Sequence, residues 1–132
     1  PRHLIGSALL GVIAQRLVRK ICPHCRKPHT LTEEEQVVIG PRLVGVPQNQ
    51  LKFYQGAGCA HCFNTGYTGR TGVFEILTVT NEIREMILDG GGERAIREKA
   101  LEQGMLTLTS DGLRKVLAGV VSVEEFIRVL NF

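Results

Sequence analysis

The sequence predicts a mixed α+β fold that is mainly helical, in which a cysteine-bearing lobe with short strands is followed by a small C-terminal helical bundle. Three observations indicate this. Apolar residues recur at helical spacing in the first 20 residues and again after Thr80. Between them lies a Gly- and Pro-rich stretch that holds all four cysteines. The 132 residues are 43% hydrophobic and contain no Trp, so we expect a core of aliphatic side chains.

The first predicted segment, residues 1–21, is a helix. Apolar residues from Leu4 to Val18 recur at helical spacing, which predicts an amphipathic helix over residues 4–20. Basic residues gather near its C-terminal end, where cations suit the helix dipole, and Pro23 ends it.

The second segment, residues 22–72, is the four-cysteine lobe. Thr32 followed by Glu35 is a capping-box pattern that predicts a short helix over residues 33–39. Residues 40–50 predict an irregular loop, and Leu51 to Gln55 predict a short strand. The glycines of residues 66–72 indicate a tight, turn-rich connection.

The third segment, residues 73–132, is predicted as a strand plus a C-terminal helical subdomain. Val73 to Leu77 predict the strand, and capping residues and glycines bound four helices after it. These signals are, in order, a Thr80 cap, the glycines 90–92, a stop at Gly104, a Thr109 or Ser110 cap on a helix running to Ala118, and a Ser122–Glu125 capping box before Val123 to Leu130.

The positive charge is concentrated at one end of the chain. The net charge is +3, yet residues 1–32 hold six Lys and Arg and no acid, so the remaining 100 residues sum to −3. Such an end is either a contact surface for an acidic or phosphate-bearing partner or a solvated face.

No targeting or membrane segment is predicted. The apolar stretch from Leu4 to Ala14 lacks a signal-peptide cleavage site and is shorter than the about 20 residues that cross a bilayer. We therefore expect a soluble, cytosolic protein. The helical pattern at the very start, without Met, indicates a piece of something longer.

The cysteines carry the strongest chemical signal. They form two CxxC frames, Cys22-Pro23-His24-Cys25 and Cys59-Ala60-His61-Cys62, with 33 residues between them. Two such turns provide the four thiolates of a structural Zn²⁺ site, which we predict at Cys22, Cys25, Cys59 and Cys62. The alternatives are two disulfides, which a cytosolic chain disfavours, two redox dithiols, although a redox CxxC normally occurs once on a βαβ scaffold, or another metal. We interpret His24 and His61 as solvated spacers.

No catalytic or nucleotide-binding residue is predicted. A closed shell of four thiolates holds no activated water, so the metal would stabilise the fold. The glycine-rich stretch from Gly66 to Gly72 lacks the Lys-Ser/Thr ending of a phosphate loop, which favours a simple connector.

Taken together, the motifs resemble the C-terminal region of the type II secretion and type IV pilus-extension ATPases (the GspE and PilB family). The motifs are Ala14-Gln15-Arg16-Leu17-Val18-Arg19, the two CxxC frames, Gly66-Tyr67-Thr68-Gly69-Arg70-Thr71-Gly72-Val73-Phe74-Glu75-Ile76-Leu77, Gly104-Met105 and Asp111-Gly112. Their order extends over nearly the whole chain.

The resemblance implies a fragment of a RecA-like ATPase, downstream of the catalytic machinery. In that family a RecA-like core carries the Walker A, aspartate-box, Walker B and histidine-box motifs, and this chain contains none of them. ATP and Mg²⁺ would therefore bind only in the full-length parent, and this fragment would be inactive alone. Arg16 would either serve the core's nucleotide or subunit contacts or be a surface cation.

The resemblance also implies partners and a location. The parent would be a homo-hexamer in the cytoplasm, peripheral to the bacterial inner membrane, that powers type II protein secretion or type IV pilus assembly. The zinc lobe would contact neighbouring subunits, inner-membrane platform proteins or other cytoplasmic-membrane secretion proteins. Nucleic acid is not an expected partner.

Two hypotheses from other classes remain open. A zinc-ribbon nucleic-acid-binding module is favoured by the basic end, although aromatic residues interleaved with that charge are missing. A chaperone-type cysteine-rich module is suggested by Cys62 followed by glycines, although such a module repeats its unit four times. A mobility-shift assay and a client-binding assay would separate these hypotheses from the motor.

Overall fold

A computed structural model describes residues 1–130. Within them, helices and strands form the mixed architecture that the sequence predicts, with the strands in the first 78 residues and four helices after them. In chain order the elements are α1 (Arg2–Ala8), β1 (Gly11–Ile21), β2 (Arg26–His29), α2 (Glu33–Ile39), β3 (Phe53–Gly56), β4 (Tyr67–Thr78), α3 (Asn81–Leu88), α4 (Glu93–Glu102), α5 (Leu108–Leu117) and α6 (Val123–Leu130). Short 3₁₀ turns lie at Gly40–Leu43, Gln48–Gln50 and Ala60–Cys62.

The chain forms two compact units from discontinuous segments. Unit 1 contains residues 1–15 and 74–108, and unit 2 contains residues 16–73 and 109 onward. The sequence prediction placed residues 73–132 in one subdomain. That segment is instead divided after residue 108, because α3 and α4 share an apolar cluster with the N-terminal part of the chain whereas α6 bonds to β1 within unit 2.

The largest difference from prediction concerns the first segment. A helix over residues 4–20 is wrong, because the chain forms only the short helix α1 and then the strand β1, which pairs with β4. The apolar residues of β1 have helical spacing and no strict alternation, but many are β-branched, and pairing with another strand decides its structure. Ile13 and Leu17 are 67% and 52% exposed, not part of a buried helical stripe.

Hydrogen bonds at both ends of the β1–β4 ribbon define its direction. The Val79 N–H donates to the Leu10 carbonyl at 3.0 Å, and the Cys22 N–H donates to the Gly66 carbonyl at 2.9 Å. The start of β1 therefore lies beside the end of β4, and the end of β1 beside the start of β4. This is the arrangement of an antiparallel pair.

The strand β4 is longer than predicted. The sequence predicts a strand only from Val73 and a turn-rich connection before it, but β4 already begins at Tyr67. Gly66 and Gly69 take φ values of 83° and 69°, which glycine adopts without strain. The glycines therefore admit local changes of backbone direction without ending the strand, and the predicted connector is wrong for residues 67–72.

A second small sheet lies within unit 2. The strands β2 and β3 pair antiparallel, with Arg26 opposite Gly56 and His29 opposite Phe53. The predicted strand over residues 51–55 overlaps β3, whereas β2 was not predicted. At Gly56 a Cβ atom would lie 2.2 Å from the Gly66 carbonyl oxygen, so only glycine permits this close approach of two backbones.

The predicted starts of α2 and α3 are confirmed. Thr32 accepts a hydrogen bond from the Glu35 N–H, and the Glu35 carboxylate accepts one from the Thr32 N–H, which completes the capping box. Thr80 accepts a hydrogen bond from the Ile83 N–H at the start of α3. Both caps satisfy backbone donors that a helix start leaves without partners.

The start of α5 and the cap of α6 depart from prediction in detail. α5 begins at Leu108, before the predicted cap at Thr109 or Ser110. α6 spans Val123–Leu130 as predicted, and the Ser122 hydroxyl accepts a hydrogen bond from the Glu125 N–H at 3.1 Å. The Glu125 carboxylate bonds to arginines rather than completing a capping box, because a buried carboxylate is stabilised more by a cationic donor.

Each unit has its own buried side chains. In unit 1, Val79, Ile83 and Ala100 form an apolar cluster against which Leu9, Leu77, Ile87, Ile96 and Met105 pack. In unit 2 the buried residues include Val18, Ile39, Val73, Val116, Val121, Val123 and Phe126. No helix within residues 1–130 is long and apolar enough to span a membrane.

Candidate metal centre

The two CxxC turns lie at the ends of paired strands. The first joins β1 to β2, and the second lies between β3 and β4. Because Arg26 pairs with Gly56, the adjoining residues also meet, and the Ala57 N–H donates to the Cys25 carbonyl at 3.0 Å. Pairing of β2 with β3 therefore brings together two turns that are distant in sequence.

The four sulfur atoms form one cluster, in which all lie within 4.8 Å of one another. The Sγ atoms of Cys22 and Cys59 lie 3.8 Å apart, those of Cys25 and Cys62 3.8 Å, and those of Cys59 and Cys62 3.7 Å. An ion bound at about 2.3 Å from each of four sulfurs would separate them by about 3.8 Å. A disulfide needs about 2.05 Å, and all four cysteines are free. The set could therefore hold one metal ion.

Backbone N–H groups point at two of the sulfurs. The Gly58 N–H donates to the Cys25 Sγ at 3.3 Å, and the N–H groups of Cys59 and Gly66 each donate to the Cys62 Sγ at 3.2 Å. Such donors stabilise thiolates, which are the form that a metal ion binds. The turns thus supply uncharged hydrogen-bond donors to sulfur atoms that would be negatively charged thiolates in a metal site.

These contacts separate the acidities of the thiols. Burial opposes the Cys62 thiolate, but the N–H groups of Cys59 and Gly66, with the neighbouring thiols, outweigh it and lower the pKa of Cys62 to about 6. Burial, with the neighbouring thiols, raises the pKa of Cys25 to about 11 despite the bond from Gly58. Within this group of interacting thiols, Cys62 therefore loses its proton more readily than Cys25.

The backbone after the second turn folds back on the sulfurs. Phe63 and Asn64 have φ values of 54° and 62°, an unusual left-handed pair. The Asn64 N–H donates to the Cys59 carbonyl at 2.8 Å, and the Thr65 hydroxyl donates to the Cys62 carbonyl at 2.6 Å. Because Phe63 is 89% exposed, this conformation serves the turn and not apolar packing.

The two histidines of the CxxC turns contact each other. The rings of His24 and His61 are stacked, with centroids 3.8 Å apart and planes at 16°. Both residues are exposed, as the interpretation as spacers requires, but sequence reasoning missed their contact. The available signal was that each histidine directly precedes the second cysteine of its frame.

A buried carboxylate forms the other polar centre of unit 2. The Glu125 side chain is fully buried, and Arg19 and Arg128 each donate to it within 3.1 Å. Burial favours the protonated acid, but bonds from Arg128 and Arg19 outweigh it and lower the pKa of Glu125 to about 2. The Arg19 N–H also donates to Glu125 at 2.8 Å. Glu125 thus ties β1 to α6.

Arg16 and Arg19 also take their positions from the corrected strand. Arg16 lies in β1, not at a helix end, and its Nη1 donates to the Val129 carbonyl at 3.0 Å. Arg19 stacks over the Tyr67 ring at 4.1 Å from its centroid. Tyr67 in turn hydrogen-bonds to the Ser122 hydroxyl at 2.8 Å. These contacts join β1, β4 and the C-terminal helix within unit 2.

Comparison with known proteins identifies the family. A family model described as "Type II/IV secretion system protein" matches residues 1–128. The chain belongs to this family. The family resemblance that the motifs predict is therefore confirmed, and relatives include proteins named for type II secretion and for type IV pilus assembly.

Three relatives illustrate the similarity. The chain is 42% identical over 126 residues to "Type II secretion system protein E" of Aeromonas hydrophila, covering 96% of this chain and 24% of that protein. It is 40% identical over 131 residues to "Type IV pilus assembly ATPase PilB" of Thermus thermophilus, covering 93% and 14%. It is 40% identical over 130 residues to the "Protein transport protein HofB homolog" of Escherichia coli, covering 98% and 26%. The chain spans about a quarter or less of these proteins.

Proposed function

We propose that this chain is the C-terminal metal-binding part of a cytoplasmic, hexameric ATPase that powers type II protein secretion or type IV pilus assembly. It holds one structural Zn²⁺ at Cys22, Cys25, Cys59 and Cys62 and contributes no catalytic residue. The observation that carries the proposal is the cluster of four thiols, all within 4.8 Å of one another, in a member of this family.

The donor set supports zinc as the ion. Four sulfur ligands without carboxylates favour a soft or borderline metal in tetrahedral geometry. With four protein ligands the shell is closed, so the ion would cross-link the two turns rather than activate water. Its role is then the stability of the lobe.

Exposed apolar side chains in unit 1 support the proposal that this chain is a fragment of a RecA-like ATPase. In the unit 1 parts of β1 and β4 and the residue before β1, the exposed apolar residues are Leu10, Val12, Ile13, Phe74 and Ile76. Large apolar side chains left exposed in this way are typical of a surface that another part of a protein covers. Because the chain spans about a quarter or less of its relatives, we assign that cover to the parent's ATPase domain.

The zinc lobe is the part we propose for contacts with neighbouring subunits or inner-membrane platform proteins. The turn residues His24 and His61 are exposed, as are most residues from 41 to 50. A rigid, metal-held projection presents such surfaces at little cost in ordering. The parent would work in the cytoplasm, peripheral to the inner membrane.

The basic end gives little support to the alternative of a nucleic-acid-binding zinc ribbon. Arg16 donates to a carbonyl, Arg19 pairs with buried Glu125, and Arg26 stacks over Tyr54 and donates to the Gly119 carbonyl. Half of the six basic residues in this end thus have intramolecular partners. The bond of Arg16 likewise favours a structural role over a nucleotide contact.

Metal analysis tests the central claim. Elemental analysis of the chain, purified in reducing buffer without chelator, should give one zinc per chain. A value near zero or near two would refute the site. The chain alone should also neither hydrolyse ATP nor bind it tightly, and turnover that persists through purification in proportion to the chain would contradict the proposal.

The role of the lobe in the motor is tested in the full-length parent. Cys22→Ser should reduce hexamer assembly or secretion while leaving the nucleotide-binding residues unchanged. Normal hexamers with normal secretion would reduce the lobe to a stability element without a partner.

A further inference from the structure

The two CxxC turns touch through more than their sulfur atoms. His24 and His61 occupy the same position of the two frames, and their rings are stacked with centroids 3.8 Å apart. Both residues are exposed, so removal from water does not by itself explain the contact. Rings this close are in direct van der Waals contact and attract each other through dispersion.

The histidines are not needed as ligands. The four sulfur atoms lie within 4.8 Å of one another and would fill the four positions of a tetrahedral shell, which leaves no position for a nitrogen. Each histidine directly precedes a cysteine in the sequence, His24 before Cys25 and His61 before Cys62. A contact between the rings therefore restrains the distance between the two thiol pairs directly.

The need for such a restraint follows from the chemistry of the centre. A shared ion requires sulfurs of both turns at separations near 3.8 Å, and no covalent bond fixes the distance between the turns. The turns come from separate parts of the chain, so only non-covalent contacts around them hold that distance. Groups outside the ligand shell commonly orient ligands and strengthen metal binding in this way.

We infer that the stacked rings of His24 and His61 hold the two CxxC turns at the separation that a shared metal ion requires and thereby slow its release. The inference rests on the proposed metal centre and makes both histidines positioning residues. An aromatic pair of this kind changes an equilibrium by roughly two- to tenfold.

The test is zinc release from the 132-residue chain into excess chelating dye, followed by absorbance. Five variants are compared with the unsubstituted 132-residue chain, which is called the parent in all the tests below. They are His24→Ala, His61→Ala, the double alanine variant, the double variant His24→Phe with His61→Phe, and His3→Ala as an exposed control. Zinc content is measured for each protein before the chelator is added.

Each single alanine variant should release zinc roughly two- to tenfold faster than the parent. The double alanine variant should be no faster than the singles, because both remove one contact. The double phenylalanine variant should release zinc at about the parent's rate, because two phenylalanine rings can stack in place of the histidines. His3→Ala should also release zinc at about that rate, because it leaves the stack of His24 and His61 unchanged.

Several results would overturn the inference. Alanine variants that release zinc at the parent's rate would exclude a role for the stack. Multiplying effects of the two substitutions would show independent roles, and a double phenylalanine variant as fast as the double alanine variant would show that the imidazole nitrogens matter. In each case a parent with one zinc leaves the proposed metal centre standing, whereas a parent without zinc removes both.

Discussion

The second cysteine turn and the apolar cluster of unit 1 are stabilised by different means. In unit 1, Val79, Ile83 and Ala100 are buried and five more apolar side chains pack against them. Across residues 57–66, by contrast, only Cys62 and Gly66 are buried. The order of that stretch depends on backbone hydrogen bonds and on the four sulfurs.

The difference concerns how stability is distributed. Apolar burial is a sum over many atoms, so removing one side chain removes part of it. A metal centre couples folding to a single ion, so losing one of four ligands affects the whole centre. We therefore expect graded effects in unit 1 and all-or-none effects around the cysteines.

The largest effect is expected for Cys59→Ser. Zinc binding contributes about 10–16 kcal/mol in zinc-finger peptides, and a hydroxyl replaces one of the four thiolates. Hydrogen exchange should rise strongly across residues 22–72 and remain near the parent's level in α3 and α4. Treating the parent with a chelator is the matched control, because it removes the ion without a substitution.

Uniform loosening of α3 and α4 in Cys59→Ser would mean that the two stabilising elements are not separate. Unchanged exchange near the cysteines would mean that the ion contributes little to folding.

The converse change is Ile83→Ala in unit 1. Ile83 is 1% exposed, and truncating a buried isoleucine costs about 2–5 kcal/mol. Urea unfolding should report that loss while the zinc content remains that of the parent. Glu85→Ala, on the exposed face of the same helix, should change stability by less than about 0.5 kcal/mol. Loss of zinc from Ile83→Ala would show that the apolar cluster of unit 1 and the metal centre are not stabilised independently.

Substitution of the buried carboxylate of Glu125 should have an effect on stability no larger than those of the two preceding changes. Glu125→Gln keeps the shape of the side chain but removes the charge that Arg19 and Arg128 share. Because both arginines are partly exposed, we expect a loss of about 2–3 kcal/mol, below that of a fully buried ion pair. Glu124→Gln, on the exposed neighbour, is the control and should be nearly neutral.

The same substitution predicts a pH dependence. The pKa of Glu125 is lowered to about 2, below the ordinary value of 4.5. Its charge therefore stabilises the folded state above about pH 4.5, and this contribution is lost as the pH falls towards 2. The difference in unfolding free energy between the parent and Glu125→Gln should shrink over that range. A difference that stays constant would assign the effect to packing.

Local signals in the sequence predicted local features. The capping residues of α2 and α3, the bounds of α6 and most of β3 follow from residues within a few positions of one another. The four cysteines could also be grouped from sequence, because identical CxxC frames with no cysteine left over suggest one shared ion.

Pairing between distant segments could not be predicted in this way. β2 is short, polar and contains Pro28, and it is a strand because β3 lies beside it. β1 carries an apolar pattern typical of a helix, and pairing with β4 decides its structure. The contacts of Glu125 with Arg19 and of His24 with His61 likewise join residues far apart in the chain.

The smallest effect separates local capping from the metal centre within the same unit. Thr32→Ala removes the hydroxyl that accepts the Glu35 N–H at 3.1 Å, and losing such a cap costs about 1 kcal/mol. Hydrogen exchange should rise in α2 only, with zinc content and release unchanged, because the cysteines have their own hydrogen bonds. Thr30→Ala is the matched control, since Thr30 lies two residues earlier and caps no helix. If Thr32→Ala also speeded zinc release, α2 and the cysteine turns would have to be treated as one cooperative element.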